Sequence, residues 1–287
     1  MKDAPLISII IPVFNAGKTL QSTIESILGQ CYKNIELIIV DGESVDNTKD
    51  IIAQYKKNID IFICEKDNGI YDAMNKGIIA ANGDWLLFLG GDDVLFNSEI
   101  LTSIFIDSNF EEIDFLYGDV LFKSSSLKYG GEKDYPTLLD SNICHQSIFY
   151  HKKIFETIGQ YNLRYQVLAD FDMNIRVFQN ESIRKKYVSK IITLFNDKGT
   201  SNSVLDKYFY SDMLSVFQKE KDFNNRSPYL QRYYFYCGII NLCSNEIMLA
   251  FKQIPLSWII GRRKLFYFLF TFKFLLRILI RDEIKIK

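Results

Sequence analysis

Carboxylates mark the ends of the apolar runs in the first hundred residues. Asp41 follows Ile35–Val40, Glu65 and Asp67 follow Ile59–Cys64, and Asp92-Asp93 follow Trp85–Leu89 across Gly90-Gly91. A carboxylate at a strand end can accept hydrogen bonds from a ribose or a base amide. Two adjacent ones can hold a hard divalent cation through oxygen. The same residues also suit simpler work: Asp41 and Asp46 fit turn and cap chemistry, and Gly90-Gly91-Asp92-Asp93 would form a turn in any case. Further on, Asp170 and Asp172 open a predicted helix, where a cap is the plain reading for Asp170 and a structural contact the reading for Asp172. The two histidines, His145 and His151, are too few for a histidine-built zinc site. The five cysteines include no CxxC pair and read as reduced thiols of a cytosolic protein. Neither GxGxxG nor a P-loop occurs, which argues against a dinucleotide oxidoreductase or an NTPase.

These residues need a frame to converge. Leu6–Ile11 is a continuous β-branched run, expected as a first buried strand. Pro12 and Asn15 interrupt the apolar stretch, so it reads as a strand and not as a signal peptide. Helical faces are predicted over Thr19–Gln30, Thr48–Lys56 and Ile70–Asn82, alternating with strands at Ile35–Val40, Ile59–Cys64 and Trp85–Leu89. Strict alternation implies right-handed crossovers and a parallel sheet, whose ligands lie at the carboxyl ends of the strands. The middle is mixed: strands are predicted at Phe115–Phe122, Cys144–Tyr150 and Tyr187–Phe195, with helices at Lys152–Thr157 and Leu168–Gln179. From about Ser203 the chain is helical and rich in aromatic residues.

The 287 residues are 48% apolar and 24% charged, which excludes a disordered chain or a small disulfide scaffold. The net charge of −1 speaks for no nucleic acid partner. It also conceals an asymmetry. Residues 255–287 carry eight basic and two acidic side chains, a charge of +6, against −7 for the rest with 26 basic and 33 acidic. Lys273, Arg277 and Arg281 fall on one helical stripe, and the longest charge-free run, Leu265–Phe272, is eight residues. Spanning a bilayer takes roughly 20 apolar residues. Residues 258–287 therefore suit a basic amphipathic segment lying on an anionic membrane surface, with packing on the protein itself as the alternative.

In order and spacing, the sequence resembles family 2 glycosyltransferases of the GT-A fold. The resemblance rests on Ser8-Ile9-Ile10-Ile11-Pro12-Val13-Phe14-Asn15 and on Val40-Asp41-Gly42-Glu43-Ser44 with Asp46 and Thr48. It continues through Asp67-Asn68-Gly69-Ile70-Tyr71-Asp72-Ala73-Met74-Asn75-Lys76-Gly77, Gly83-Asp84-Trp85 and Leu89-Gly90-Gly91-Asp92-Asp93. The Gly-Ile-Tyr-Asp-Ala-Met-Asn-Lys-Gly string is similar to the branch that builds bacterial surface polysaccharides (O-antigen, capsule) on lipid-linked carriers.

The resemblance implies an α/β, Rossmann-like GT-A domain over residues 1–200 and a helical aromatic region over 201–287. It implies an inverting transferase that takes a UDP-sugar or similar nucleotide-sugar to a lipid-diphosphate-linked saccharide, at the inner face of the cytoplasmic membrane. Pro12, Val13, Phe14, Asn15 and Asp41 would hold base and ribose, and Asp67, Asn75 and Lys76 would border nucleotide and sugar. Asp92 and Asp93 would stand for the family's Asp-x-Asp-Asp motif and bind Mg²⁺ or Mn²⁺ beside the donor, although Gly90 replaces the first acid. Asp170, in Leu168-Ala169-Asp170-Phe171-Asp172-Met173, takes the place of the general base. His145-Gln146 and Tyr71 would reach the acceptor or the diphosphate, or the donor sugar in the case of Tyr71. A buried structural histidine and a core tyrosine are the alternatives for these. Two other functions are compatible with such a sheet. A sugar nucleotidyltransferase would need a Gly-rich basic loop where Pro12–Lys18 has one Gly and one Lys. A non-catalytic nucleotide-sugar-binding scaffold would explain the missing acid at Gly90.

Overall fold

The computed structural model describes residues 4–106, 112–196, 204–219, 228–243 and 285–286. The chain divides into two compact units, residues 1–163 with 170–198 and residues 164–169 with 199–287.

The first unit opens with β1 (Ile7–Val13), α1 (Leu20–Leu28), β2 (Ile35–Asp41), α2 (Thr48–Gln54), β3 (Ile61–Cys64), α3 (Ile70–Ala80) and β4 (Trp85–Phe88). All seven residues of β1 are buried: the strand lies between parallel neighbours β2 and β4, with α1 packed on one face and α3 on the other, where Gly77 lies against Ile10. That is why Ser8-Ile9-Ile10-Ile11 lacks polar alternation: both faces of the strand need apolar cover. Ile7, Ile9, Ile11 and Val13 pack on one face against Leu20, Ile24 and Ile27 of α1. Burying each such side chain contributes about 1.5–3 kcal/mol. Glu36, buried near the start of β2, accepts from the Ser8 hydroxyl at 2.5 Å and from Asn82 at 2.7 and 2.9 Å.

Beyond β4 the order changes, as the sequence expects. There follow β5 (Val94–Leu95), α4 (Ile100–Phe105), β6 (Phe115–Phe122), β7 (Lys128–Tyr129), α5 (Tyr135–Asp140), β8 (Ile148–His151), α6 (Lys153–Ile158), α7 (Ala169–Gln179) and β9 (Lys185–Phe195). The sheet runs β3-β2-β1-β4-β8-β6-β9-β5, with β7 paired to β6. Its first four strands are parallel, β8 is antiparallel to both β4 and β6, and β6 is parallel to β9.

One expected strand is shorter than its apolar pattern. Residues 145–147 form a 3-10 turn and β8 begins at Ile148. The Cys144 carbonyl accepts both the Ser147 N–H and the Ser147 hydroxyl at 2.9 Å, which closes the turn and lifts His145 out of the strand.

In the second unit, β10 (Val204–Leu205), α8 (Lys207–Lys219), α9 (Pro228–Cys243) and β11 (Lys285–Ile286) are described. Asp206 accepts the backbone N–H groups of Val167 and Leu168 at 3.0 and 3.2 Å, and Phe209 stacks edge-on against Tyr165. Apart from β11, the basic segment expected over 258–287 lies outside the described residues. Among the described residues, no helix is long and apolar enough to cross a membrane.

Candidate active site

The carboxyl ends of β1, β2 and β3 are tied together by short side chains. The Asn15 N–H donates to the Ser44 hydroxyl at 2.8 Å, and Asn15 Oδ1 accepts the Val45 N–H at 2.9 Å. The Ala16 N–H donates to Thr48 Oγ1 at 2.8 Å and the Gly17 N–H to Asp46 Oδ2 at 3.1 Å. The polar residues of the Asp41–Thr48 segment thus cross-brace the loop after β1. Asp41 is at the centre of the brace and is fully buried. Its Oδ1 accepts the N–H and hydroxyl of Ser44, and its Oδ2 takes the Cys64 thiol at 3.4 Å. Asp41 therefore shapes the loop, which leaves Phe14, Asn15, Glu43 and Val45 exposed at its surface.

Asp67 reaches the same place from β3. Its Oδ1 accepts the Gly69 N–H at 2.9 Å, and a Cβ on Gly42 would lie 2.3 Å from its Oδ2. Glycine at 42 leaves room for this carboxylate to close over the end of β2. Lys76 lies nearby, with Nζ 3.0 Å from Glu65 and 3.7 Å from Asp72. Burial opposes its charge, but Glu65, Asp72 and Asp67 outweigh that effect and hold the ammonium above its ordinary pKa. Asn75 is not part of this group. It is buried, and its amide brackets the backbone of Tyr161, accepting from N–H and donating to C=O at 3.0 Å.

Past β4 the two adjacent acids take different positions. Asp93 is 1% exposed; it accepts the Gly90 N–H at 2.9 Å and the Asn196 N–H at 3.0 Å. Burial pushes its pKa up, the two N–H donors oppose the rise, and the Asp92 charge adds to it. Asp92 is less covered. Its Oδ2 accepts the Asn196 amide at 2.6 Å and its backbone carbonyl accepts Lys123 Nζ at 2.5 Å. A Cβ at position 90 would sit 2.8 Å from Asp92 Oδ1 and 2.9 Å from Asp93 Oδ2. With both carboxylates folded back in this way, glycine at 90 leaves them room, and a side chain there would require them to shift.

Sequence reasoning overlooked Asn196 and Lys123. The signal for Asn196 was present: it is the polar residue directly after the strand ending at Phe195, the same rule that singled out Asp41 and Asp92.

Asp170 opens α7 and is buried. Its Oδ1 accepts the Tyr71 hydroxyl at 3.0 Å and the Phe171 N–H at 2.8 Å. Oδ2 is held less closely, with His145 Nδ1 and Asn142 Nδ2 each at 3.3 Å. Asn142 cannot flip, because its Oδ1 accepts from Asn174 at 2.8 Å; Asn174 in turn accepts from the Tyr150 hydroxyl at 3.2 Å. Burial first, then the charges of Asp170 and Asp93, push the Cys144 thiol well up. Gln146 is buried beside it. Tyr71 and His145 therefore converge on Asp170, whereas Asp172 pairs with Arg176 at 2.9 Å.

A divalent cation fits this donor set in a specific way. Among the described residues, no group of three or more His, Cys, Asp or Glu could hold a metal. Magnesium-type ions commonly use one or two carboxylates and take their remaining oxygens from substrate phosphates. Asp92 Oδ1 has no hydrogen-bond partner among the described residues, and Asp93 braces the turn behind it.

Known proteins resemble this chain in sequence and in fold. The sequence profile of glycosyl transferase family 2 matches residues 8–102. A PGL/p-HBAD biosynthesis glycosyltransferase of Mycobacterium bovis BCG is 44% identical over 213 residues, covering 72% of this chain and 83% of the relative. This chain belongs to glycosyl transferase family 2. A second relative, the Escherichia coli UDP-Glc:alpha-D-GlcNAc-diphosphoundecaprenol beta-1,3-glucosyltransferase WfaP, is 35% identical over 151 residues, 48% of this chain and 59% of that one. Staphylococcus aureus TarS 1–349, solved in complex with UDP-GlcNAc, superposes with a TM-score of 0.64 at 14% identity, over 88% of this chain and 80% of TarS. The fold is thus GT-A, and the chain is a glycosyltransferase whose family profile ends just past the Asp92-Asp93 loop. The base candidate, His145 and Asn196 all lie beyond that profile.

Proposed function

We propose that this glycosyltransferase transfers a sugar, with inversion, from a UDP-linked donor to a lipid-diphosphate-linked saccharide in the assembly of a surface glycan. The observation that carries the reading is Asp170: a buried carboxylate with one oxygen pinned by two donors and the other loosely held. Inversion by a single displacement needs one base near the acceptor hydroxyl and no nucleophilic side chain. Asp170 Oδ2 takes the hydroxyl proton as the new C1–O bond forms, while Tyr71 and the Phe171 N–H keep the carboxylate oriented. Asp67 and the exposed Phe14 and Asn15 bind the nucleoside, and Asp41 keeps their loop in shape. The Asp92 carboxylate, held by Asn196 and backed by Asp93, would hold Mg²⁺ or Mn²⁺ next to the diphosphate. When bound, that ion supplies Lewis-acid neutralisation of the departing nucleoside diphosphate.

The names of the relatives support the substrate classes. WfaP is named for a UDP-sugar donor and a diphosphoundecaprenol-linked acceptor, and TarS was solved with UDP-GlcNAc. We assign the catalytic domain to residues 1–200 and the membrane-surface contact to the cationic residues 258–287, so that the enzyme works peripherally on the inner face of the membrane.

The test is a donor panel (UDP-glucose, UDP-galactose, UDP-GlcNAc, GDP-mannose) with a short-chain GlcNAc-diphospho-lipid and Mn²⁺. Release of nucleoside diphosphate is followed, and the product anomer is read by NMR. One donor is expected to turn over with inverted configuration; retained configuration would overturn the mechanism. Truncation at residue 257 should abolish cosedimentation with anionic vesicles and leave UDP binding intact.

A further inference from the structure

One ring nitrogen of His145 is not accounted for by the fold. Its Nε2 is buried and meets no hydrogen-bond partner among the described residues. Leaving such an atom unpaired costs about 1–3 kcal/mol, so its retention calls for a reason. The other nitrogen, Nδ1, is 3.3 Å from Asp170 Oδ2. An ionised carboxylate only accepts, so Nδ1 carries a proton, and in the neutral imidazole that tautomer leaves the lone pair on Nε2.

That tautomer selects the partner. A lone pair repels a phosphate oxygen and needs a donor. A hard Mg²⁺ or Mn²⁺ prefers carboxylate and phosphate oxygen to an imidazole nitrogen. A sugar hydroxyl is the donor that the proposed reaction brings to Asp170. The two accepting atoms, Asp170 Oδ2 and His145 Nε2, are separated by one hydrogen bond and one imidazole ring. Two neighbouring hydroxyls of a pyranose can bridge such a span.

We propose that His145 sets acceptor specificity: its Nε2 accepts a hydrogen bond from the hydroxyl adjacent to the one that Asp170 deprotonates, so the acceptor sugar carries a free vicinal diol. This rests on the reading of Asp170 as the base and of a saccharide as the acceptor. The 3-10 turn at residues 145–147 is the device that presents the ring, since in a continued strand His145 would follow the alternation of β8. Asp170 is then both the base and the group that fixes the histidine tautomer. His145 positions the acceptor and removes no proton itself.

The experiment compares the full-length enzyme, His145→Ala and His145→Gln on the GlcNAc-diphospho-lipid and its 3-deoxy, 4-deoxy and 6-deoxy analogues. One analogue will be inert because it lacks the nucleophile. For the wild type, the analogue lacking the neighbouring hydroxyl is expected to lose roughly 100-fold or more in kcat/KM, because a site built to bind a hydroxyl is left unpaired without it. His145→Ala should treat that analogue and the parent alike, within about threefold. His145→Gln, whose amide oxygen can accept, should keep part of the discrimination. UDP titration of each variant reports folding, and if His145→Ala fails to bind UDP, His145→Gln decides. A wild type indifferent to the neighbouring hydroxyl, or a folded His145 variant with undiminished discrimination, overturns the inference and leaves the transferase reading intact. A wild type that transfers to none of these acceptors overturns the acceptor class, and the inference with it.

Discussion

Tyr71 on α3 and Asp170 at the start of α7 are 99 residues apart in sequence and joined by a 3.0 Å hydrogen bond from hydroxyl to carboxylate. The bond holds the proposed base from the same helix that follows the Asp67 turn. One helix therefore links the proposed nucleoside end of the site to its proposed proton-accepting end.

Tyr71→Phe removes only the hydroxyl and keeps the ring that packs on Tyr161. Hydrogen bonds to charged groups contribute about 1.5–3 kcal/mol. The expected result is a kcat lowered by about 10- to 100-fold with the donor KM within about threefold of wild type, measured by steady-state release of nucleoside diphosphate. An unchanged kcat would mean that the Phe171 N–H orients Asp170 unaided.

Asp170→Asn keeps the shape and removes the basicity. General base catalysis contributes about 10²–10⁴-fold, so kcat should fall by at least about 100-fold. UDP binding, followed by calorimetry, should stay at the wild-type level, since the donor groups lie on other elements. Undiminished turnover would reassign the base.

Asn196 clamps both acids of the β4 loop, its side chain on Asp92 and its N–H on Asp93. Asn196→Ala removes the first contact and spares the second. Losing an outer partner of a metal ligand typically costs 10–100-fold in metal affinity or activity. Titrating activity with Mn²⁺ should show the half-saturating concentration raised by about tenfold or more, with part of the rate recovered at high metal. Unaltered metal dependence would place the cation elsewhere.

Gly90→Asp restores the family's acidic residue and should nevertheless harm the enzyme. Its Cβ would meet Asp92 Oδ1 at 2.8 Å and Asp93 Oδ2 at 2.9 Å, and it adds a third negative charge. Overpacking of this kind costs about 1–3 kcal/mol. A lower thermal midpoint and weaker Mn²⁺ dependence are expected; a gain in both would show that the loop has room for the acid.

The parallel half of the sheet was legible in the sequence because its signals are local. A run such as Ile9-Ile10-Ile11 reports its own double burial, and Asp41, Asp67 and Asp92 stand at the ends of such runs. Both are properties of a few adjacent residues, so strand order and the set of candidate acids could be read without coordinates. The role of each acid could not. Asp41 and Asp93 resemble Asp67 and Asp92 in sequence, yet the first two spend their oxygens inside the fold. Which carboxylate faces outward depends on donors brought from distant strands.

Residues 6–96 alone thus determined a parallel α/β sheet with carboxylates at its carboxyl ends, because periodicity and strand-end chemistry are written in short stretches. The tertiary structure alone decided that Asn75 turns inward to Tyr161, that the Asp92 and Asp93 carboxylates fold back over Gly90, and that Asn196 meets Asp92 across 104 positions. It also decided that a turn at 145–147 carries His145 to Asp170. These are matters of contact geometry between segments far apart in sequence, and hydrogen-bond partners at that separation exist only once the sheet has closed.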